Sequence, residues 1–385
     1  LDGHDNEVAD GVATYHYGTG SGLSSTVGER LVAAGVVLLV VAHLVVTGAR
    51  EGLGVGGRVR GIDAFDLDEE SSFGTAVGST RHVPIVSESL ALTKNMVQSN
   101  AMFPGYHTRA SARRVEASRS AGGDFKLEAT TRGIGLLLKY IMGAAQTITP
   151  TTLTTGVYEY VIPLGLGLGK SLTIQKQFYD MGGTIVQAFD YPGSKIPKAG
   201  FALGQDGALE ITASVDARDE VKQASPTAAS YGSYKPFRFR DAKIKKNGGQ
   251  LSQSVIVRGM SIDIERPMDA DRRGIGGGGL KGEQTENDFP AISGNMEGEF
   301  ADPAHWYDDY ANDTAFALAL LFEGATIAST YKETLEFTMP AAKLDGESPK
   351  AGGPGTVTTA LPFTVGWDGT NPDMTVRYVT ADASL

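Results

Sequence analysis

Cysteine is absent from this 385-residue chain, and tryptophan and histidine are scarce, with two and six copies. The absence of cysteine excludes disulfide frameworks, thiolate nucleophiles and zinc or iron–sulfur sites with cysteine ligands. Basic residues are also in deficit, since 34 lysines and arginines face 45 acidic residues and the formal net charge is −11. This deficit argues against a general duplex-DNA binder, which needs a basic surface.

Motifs that carry chemistry are equally scarce. The stretch 163–171 (PLGLGLGKS) ends like a phosphate-binding loop, but Leu164 stands where that motif needs its first glycine. A strand rather than a helix is expected to follow, so no helix N-terminus would face a phosphate. The histidines do not cluster at metal-ligand spacing, and no nucleophile elbow occurs. The sequence therefore predicts no enzyme, no cofactor and no metal site.

Glycine and alternating strand patterns are abundant. The chain has 50 glycines and is 41% hydrophobic, which suits a sizeable core with many turns. Apolar and polar residues alternate in 209–215 (LEITASV), 260–265 (MSIDIE) and 335–339 (LEFTM), the pattern of half-buried strands. Helices are expected at 131–142 and after Asp302-Pro303. We predict a mainly β fold, an antiparallel β-sandwich or barrel with one or two short flanking helices.

Residues 1–73 differ from the rest of the chain. They contain 31–46 (LVAAGVVLLVVAHLVV), an apolar run shorter than the ~20 residues that cross a bilayer. The acidic residues ahead of it do not suit a signal peptide, so a buried helix or hairpin and a membrane or export segment both stay open. The first methionine is Met96, and we expect 1–73 to be an extension of unclear role, encoded upstream of the usual start. The β domain is predicted at 74–385.

Two long segments, 94–122 and the glycine-rich 268–289, are predicted as loops between subunits. Loops of this length are uncommon in compact domains and often become ordered on a partner. Four arginines stand in the first of them: Arg109, Arg113, Arg114 and Arg119. Because the rest of the chain is acidic, we expect these arginines to dock on a neighbouring subunit.

Seven segments follow one another in a characteristic order: 83–90 (VPIVSESL), 121–128 (AGGDFKLE), 133–140 (GIGLLLKY), 171–174 (SLTI), 190–196 (DYPGSKI), 208–215 (ALEITASV) and 335–340 (LEFTMP). Each is ordinary strand or helix sequence, and their order and spacing are what is specific. Together they resemble the tail tube protein of long, non-contractile-tailed bacteriophages over residues 74–380. Tyr191, Gly193 and Lys195 look like a Tyr-x-Gly-x-Lys strand turn of that family.

The resemblance implies a structural subunit that assembles into stacked, hexameric rings. Their hollow lumen would convey DNA during ejection without sequence-specific binding, and 94–122 would be the arm that reaches the adjacent ring. The implied partners are other copies of the chain and the tape-measure and tail terminator proteins, with no membrane. The implied location is the virion tail, after assembly in the host cytoplasm. The candidates for lining the lumen are acidic residues at the polar positions of alternating strands: Glu210, Asp263, Glu265 and Glu336.

Two other functions stay open from the sequence. A β-sandwich adhesin or carbohydrate-binding surface module would use the same fold, although sugar-facing aromatics are few and the two tryptophans are Trp306 and Trp367. A membrane-anchored surface protein would use 31–46. Assembly into rings or tubes distinguishes the tube subunit from both alternatives.

Overall fold

A computed structural model describes residues 59–78, 80–143, 147–232, 234–251, 255–300 and 303–385. The apolar run 31–46 and most of the predicted extension lie outside the described residues. Strand β1 (Val59–Glu69) pairs with a later strand along its length, so the described sheet begins ahead of residue 74, where the sequence places the start of the β domain.

Strands dominate the described part of the chain. In chain order they are β1 (Val59–Glu69), β2 (Arg81–His82), β3 (Ser87–Glu88), β4 (Ala91–Gln98), β5 (Arg114–Glu128), β6 (Thr151–Thr154), β7 (Val157–Pro163), β8 (Leu172–Asp180), β9 (Ile185–Leu203), β10 (Leu209–Ala217), β11 (Val221–Gln223), β12 (Ala242–Lys246), β13 (Gly249–Gln250), β14 (Val257–Glu265), β15 (Ala291–Glu299), β16 (Phe316–Ala328), β17 (Tyr331–Leu344), β18 (Thr358–Val365) and β19 (Thr375–Thr380). Every one of the three alternating segments in the sequence lies in a strand.

These strands form one large antiparallel sheet that folds over on itself. One layer runs β4-β5-β10-β9-β14-β15-β18, and the other runs β6-β7-β19-β17-β16-β12-β13. Strand β17 joins the layers because it pairs with both β18 and β19. The two layers enclose the core, where the rings of Phe201 on β9 and Phe337 on β17 have centroids 4.6 Å apart. The predicted mainly β fold is confirmed.

Alternation along β10 shows how sequence sets the orientation of a strand. Leu209, Ile211, Ala213 and Val215 are buried in the core, and the residues between them point outward. Burying a large aliphatic side chain contributes about 1.5–3 kcal/mol. A slip of one residue would exchange the buried and outward sets, so this pattern fixes the register of β10 with β5 and β9.

Within the described ranges, two short α-helices accompany the sheet. Helix α1 (Gly135–Ile141) is buried at every residue, and its one charged side chain, Lys139, donates a hydrogen bond to Glu69 of β1. Helix α2 (Tyr307–Ala311) follows a single 3-10 turn at Pro303–His305. Both lie within the segments that the sequence marks as helical.

Residues 94–122 form most of a β hairpin, not the predicted loop. Strands β4 and β5 pair from Ala91 opposite Gly122 to Gln98 opposite Arg114. Most side chains of β4 and of the first half of β5 are exposed, so no buried face imposes the alternation from which strands are predicted. We call residues 99–113, which connect the two strands, the hairpin tip.

Candidate functional site

The outward side of the first layer is a broad polar surface. Cross-strand register places its residues in three rows. The rows are Glu128, Glu210, Ala202, Ser261 and Asn295; then Lys126, Thr212, Gly200, Asp263 and Ser293; then Asp124, Ser214, Lys198 and Glu265. Glu297 lies two residues beyond the first row on β15. We call these fifteen residues the open face.

Side chains on the open face are short or charged, and none is aromatic or a branched aliphatic. At its centre Gly200 and Ala202 of β9 leave the backbone close to the surface. A Cβ at Gly200 would lie 2.8 Å from Oδ1 of Asp263, so the neighbouring carboxylate occupies the space that a side chain would fill. The open face therefore has no aromatic ring on which a base could stack and no apolar patch.

Negative charge dominates the open face. Six carboxylates and two lysines give it a net charge of −4. Lys126 pairs with Glu210 at 2.8 Å, and Asp124 accepts a hydrogen bond from Ser214. The other four carboxylates have no ion-pair partner within the described ranges, namely Glu128, Asp263, Glu265 and Glu297. A mobile polyanion near this surface would meet repulsion that intramolecular pairing does not cancel.

The outward side of the second layer is organised differently. Six of its charged residues lie on β7, β19, β17, β16 and β12, and we call these six the paired face: Glu159, Arg377, Glu336, Lys245, Glu323 and Lys243. Arg377 bridges Glu159 at 2.5 Å and Glu336 at 3.4 Å, and Lys245 reaches Glu336 at 2.7 Å. The Lys243 hydrogen bond lowers the pKa of the Glu323 carboxyl.

Three of the four predicted lumen residues therefore share one surface, and the fourth does not. Glu210, Asp263 and Glu265 lie on the open face, whereas Glu336 lies on the paired face. All four stand at polar positions of alternating strands, so sequence alone treats them alike. Only the pairing of strands shows that β17 belongs to the opposite layer.

The hairpin tip is exposed and basic. Arg109, Arg113 and Arg114 at and beside it have no ion-pair partner in the described part of the chain. The Arg113 guanidinium instead lies 4.4 Å from the ring centroid of Phe103. Arg119 differs, because it pairs with Glu116 at 2.5 Å and with Asp219 at 3.4 Å. The structure thus leaves three of the four predicted arginines available to a partner.

Large apolar side chains stand next to these arginines. Met102 is 96% exposed and Tyr106 is 73% exposed, although both belong to residue types that are normally buried at least in part. Val97 and Val115, on the strands just before and after the tip, are also exposed. Exposed apolar residues beside cations are typical of a surface that becomes covered on assembly.

The glycine-rich segment 268–289 supports the base of this hairpin. The Arg119 amide donates to the Gly279 carbonyl at 3.2 Å, and Arg273 donates to the Arg119 carbonyl at 2.9 Å. A Cβ at Gly279, whose φ is +77°, would lie 2.7 Å from the Ala117 carbonyl oxygen, so glycine permits this contact. Sequence reasoning treated the two segments separately and missed their contact.

The Tyr-x-Gly-x-Lys motif fastens the same segment to β9. Lys195 donates to the carbonyl oxygens of Gly167 and Gln284, each at 2.8 Å, and pairs with Glu283 at 2.7 Å. Burial lowers the pKa of the Lys195 ammonium group, which is 3% exposed. Gly193 has φ +67° and donates its amide to Glu70 at 2.8 Å. The motif is thus a structural clamp next to the hairpin.

A sequence profile of the family described as "Phage tail tube protein" matches residues 64–365. The chain belongs to this family. A comparison with curated proteins returns no match. As a tail tube protein, the chain is a structural subunit of the phage tail and a component of the virion, which favours the tube over the adhesin alternative. No helix within the described ranges is long and apolar enough to cross a membrane.

Proposed function

We propose that copies of this tail tube protein close into hexameric rings, that the rings stack into a tube, and that the open face lines its lumen. The observation that carries the proposal is the composition of the open face, where fifteen short or charged residues carry a net charge of −4. Glu210, Asp263 and Glu265 belong to this lining together with Glu128 and Glu297. Glu336 is left out, because its charge is neutralised by Lys245 and Arg377.

Such a lining suits the passage of DNA. Carboxylates repel phosphates over a range of about 8 Å at physiological ionic strength, which keeps the duplex away from the wall. Without aromatic side chains, exposed bases have no stacking platform. The DNA therefore slides through the lumen and no sequence is read, since direct readout needs donors and acceptors held against base edges.

Ring closure also satisfies an exposed sheet edge. Strand β4 pairs only with β5 in the described part of the chain, and most of its residues are exposed. An unpaired strand edge of this length invites pairing with another chain. Closing the first layers of neighbouring subunits into one continuous barrel removes the edge, and it turns the open faces toward a common axis.

The hairpin tip supplies the contact between rings. Arg109 and Arg113 in the tip, Arg114 beside it, and the exposed Met102 and Tyr106 suit an acidic and apolar surface on the next ring. The tape-measure protein would occupy the lumen during assembly in the host cytoplasm, and the tail terminator protein would close the last ring.

Electron microscopy of the purified chain tests this function. We expect hollow rings or stacked tubes of uniform width to appear as the protein concentration rises, with light scattering giving the mass. A variant in which an Asn-Gly turn replaces 100–112 keeps Ser99 and Arg113, whose backbone hydrogen bond of 3.2 Å closes the hairpin. We expect this variant to fold and to form rings but no tubes. Unimpaired tubes would overturn the role of the hairpin, and a persistent monomer that binds glycans would favour the adhesin.

A further inference from the structure

An aromatic cleft lies at the strand ends remote from the hairpin. It is a shallow, open cleft between the end of β15, helix α2 and the segment after β17. Its aromatic walls are Phe300, Trp306, Tyr307 and Tyr310. The cross-strand register places Glu299 of the cleft four residues beyond Asn295, in the direction away from the hairpin.

The lining of the cleft is acidic, and the Lys246 ammonium group, which pairs with Asp309, lies over the Trp306 ring at 5.3 Å from its centroid. The carboxylates of the lining are Glu299, Asp345 and Glu347. Glu299 pairs with Arg258, and Glu347 pairs with Lys350 at the surface, where such pairs contribute little. Asp345 is exposed and has no ion-pair partner in the described part of the chain. Electron-rich rings beside carboxylates form a site for a guanidinium group, which interacts with both.

One buried polar group in the cleft has no partner. Trp306 is 5% exposed, and its indole nitrogen has no hydrogen-bond acceptor within the described ranges. An unsatisfied buried N–H group costs about 1–3 kcal/mol, so an acceptor brought to it by a partner would stabilise the subunit. The Trp306 ring packs against the buried Phe316 ring, with centroids 6.0 Å apart, whereas the cleft residues Phe300, at 39% exposure, and Tyr307 are only partly covered.

We infer that this cleft receives the hairpin tip of a second copy of the chain, from the adjacent ring. The inference deepens the proposed function and rests on it, because it names the receptor for the hairpin. Arg109, Arg113 and Arg114 supply the guanidinium groups, and Tyr106 and Met102 supply apolar side chains for the aromatic walls. Hairpin and cleft lie at opposite strand ends of the same layer, so their contact joins subunits head to tail and repeats without limit along a tube.

The absence of cysteine makes a cross-linking test direct. In Tyr106→Cys/Pro349→Cys, one cysteine is on the hairpin tip and one lines the cleft. Oxidised tubes are separated on a non-reducing gel. We expect a ladder that continues past the ring size, because each subunit is joined to one above and one below. The matched control Tyr106→Cys/Trp367→Cys places the second cysteine at an exposed site beyond the other end of β18 and gives no ladder.

Each outcome of this experiment decides something different. A ladder that stops at the ring size would show that the cleft receives a hairpin of the same ring, and it would overturn the inference. Tubes without cross-links would overturn it as well, while the proposed function stands. Failure of the unmodified chain to form tubes by microscopy would overturn the proposed function and the inference together.

A charge variant tests the same contact without cysteine. Asp345→Lys/Glu347→Lys should raise the protein concentration needed for tube formation at least about tenfold, which corresponds to roughly 1.4 kcal/mol, and should leave ring formation unchanged. The control Asp373→Lys alters a carboxylate near the other end of the layer and should not change that concentration. If the two variants need the same protein concentration to form tubes, the inference is contradicted.

Discussion

The two outward faces of this sandwich carry similar residue types but differ in whether their carboxylates form ion pairs. On the paired face, each carboxylate has a lysine or arginine at 2.5–2.7 Å. On the open face, four of six carboxylates have neither an ion pair nor a side-chain hydrogen bond within the described ranges. Pairing neutralises a surface, whereas unpaired carboxylates create a field that extends into the solvent. The difference shows that the arrangement of charge, more than the net charge of the chain, indicates which face meets DNA.

Charge reversal on the open face should have the largest effect on function. Replacing the four unpaired carboxylates by lysine (Glu128→Lys, Asp263→Lys, Glu265→Lys and Glu297→Lys) changes the net charge of this face from −4 to +4. No ion pair is lost, so we expect tubes to form. Assembled tubes should bind a short DNA duplex at least about tenfold more tightly near 0.15 M salt, since neutralised phosphates release counterions.

The matched control for this reversal is the fourfold glutamine and asparagine variant, which removes the negative charge without adding positive charge. Its affinity for DNA should lie between those of the parent and the lysine variant. The affinity of the lysine variant should fall steeply as the salt concentration is raised. If lysine and glutamine variants bind DNA equally, the open face does not meet DNA.

A matched pair of neutral substitutions compares the stabilities of the two faces. Glu336→Gln should lower the free energy of unfolding of the monomer by about 1 kcal/mol, because Lys245 and Arg377 both lose a charged partner that is itself mostly buried. Glu265→Gln should change it by less than about 0.5 kcal/mol, as for an exposed residue without a partner. Urea unfolding followed by circular dichroism measures both, and equal losses would contradict the distinction between the faces.

The paired face should also show a smaller, pH-dependent contribution. The Lys243 hydrogen bond lowers the pKa of Glu323 in the folded state. The resulting stabilisation is fully present above the ordinary glutamate pKa of about 4.3 and is lost as the pH falls through the lowered folded-state pKa. The Lys243→Met variant should therefore lose less unfolding free energy than the parent protein as the pH falls below about 4.3.

Unfolding free energies of the Lys243→Met variant and the parent, measured from neutral to acid pH, test this contribution. Lys198→Met on the open face is the control, since Lys198 has no ion pair in the described part of the chain. An acid response that is identical in the parent and the Lys243→Met variant would show that the Lys243–Glu323 pair does not stabilise the fold.

Where a strand has one buried face, sequence alone predicted it well. Alternation in 209–215 and 260–265 placed Glu210, Asp263 and Glu265 on polar faces, and the order of segments indicated the family. These successes have a common cause, because burial of one face imposes a period of two on the sequence.

Features that depend on contacts between distant segments were not predicted from the sequence. The β4–β5 hairpin is exposed on both sides, so its sequence lacks the alternation of a strand. The place of Glu336 on the opposite layer depends on the pairing of β17 with β16 and β19, which the period of one strand does not reveal. The clamp between Lys195 and Glu283 joins residues 88 positions apart, and no local pattern marks it.

The central claim is that the open face lines the lumen. A cryo-electron microscopy reconstruction of assembled tubes tests it most directly, at a resolution that traces β10, β14 and β17. We predict that Glu210, Asp263 and Glu265 point toward the channel axis and that Glu336 points away from it. A channel lined by Glu336, Arg377 and Lys245, with the open face turned outward, would contradict the account.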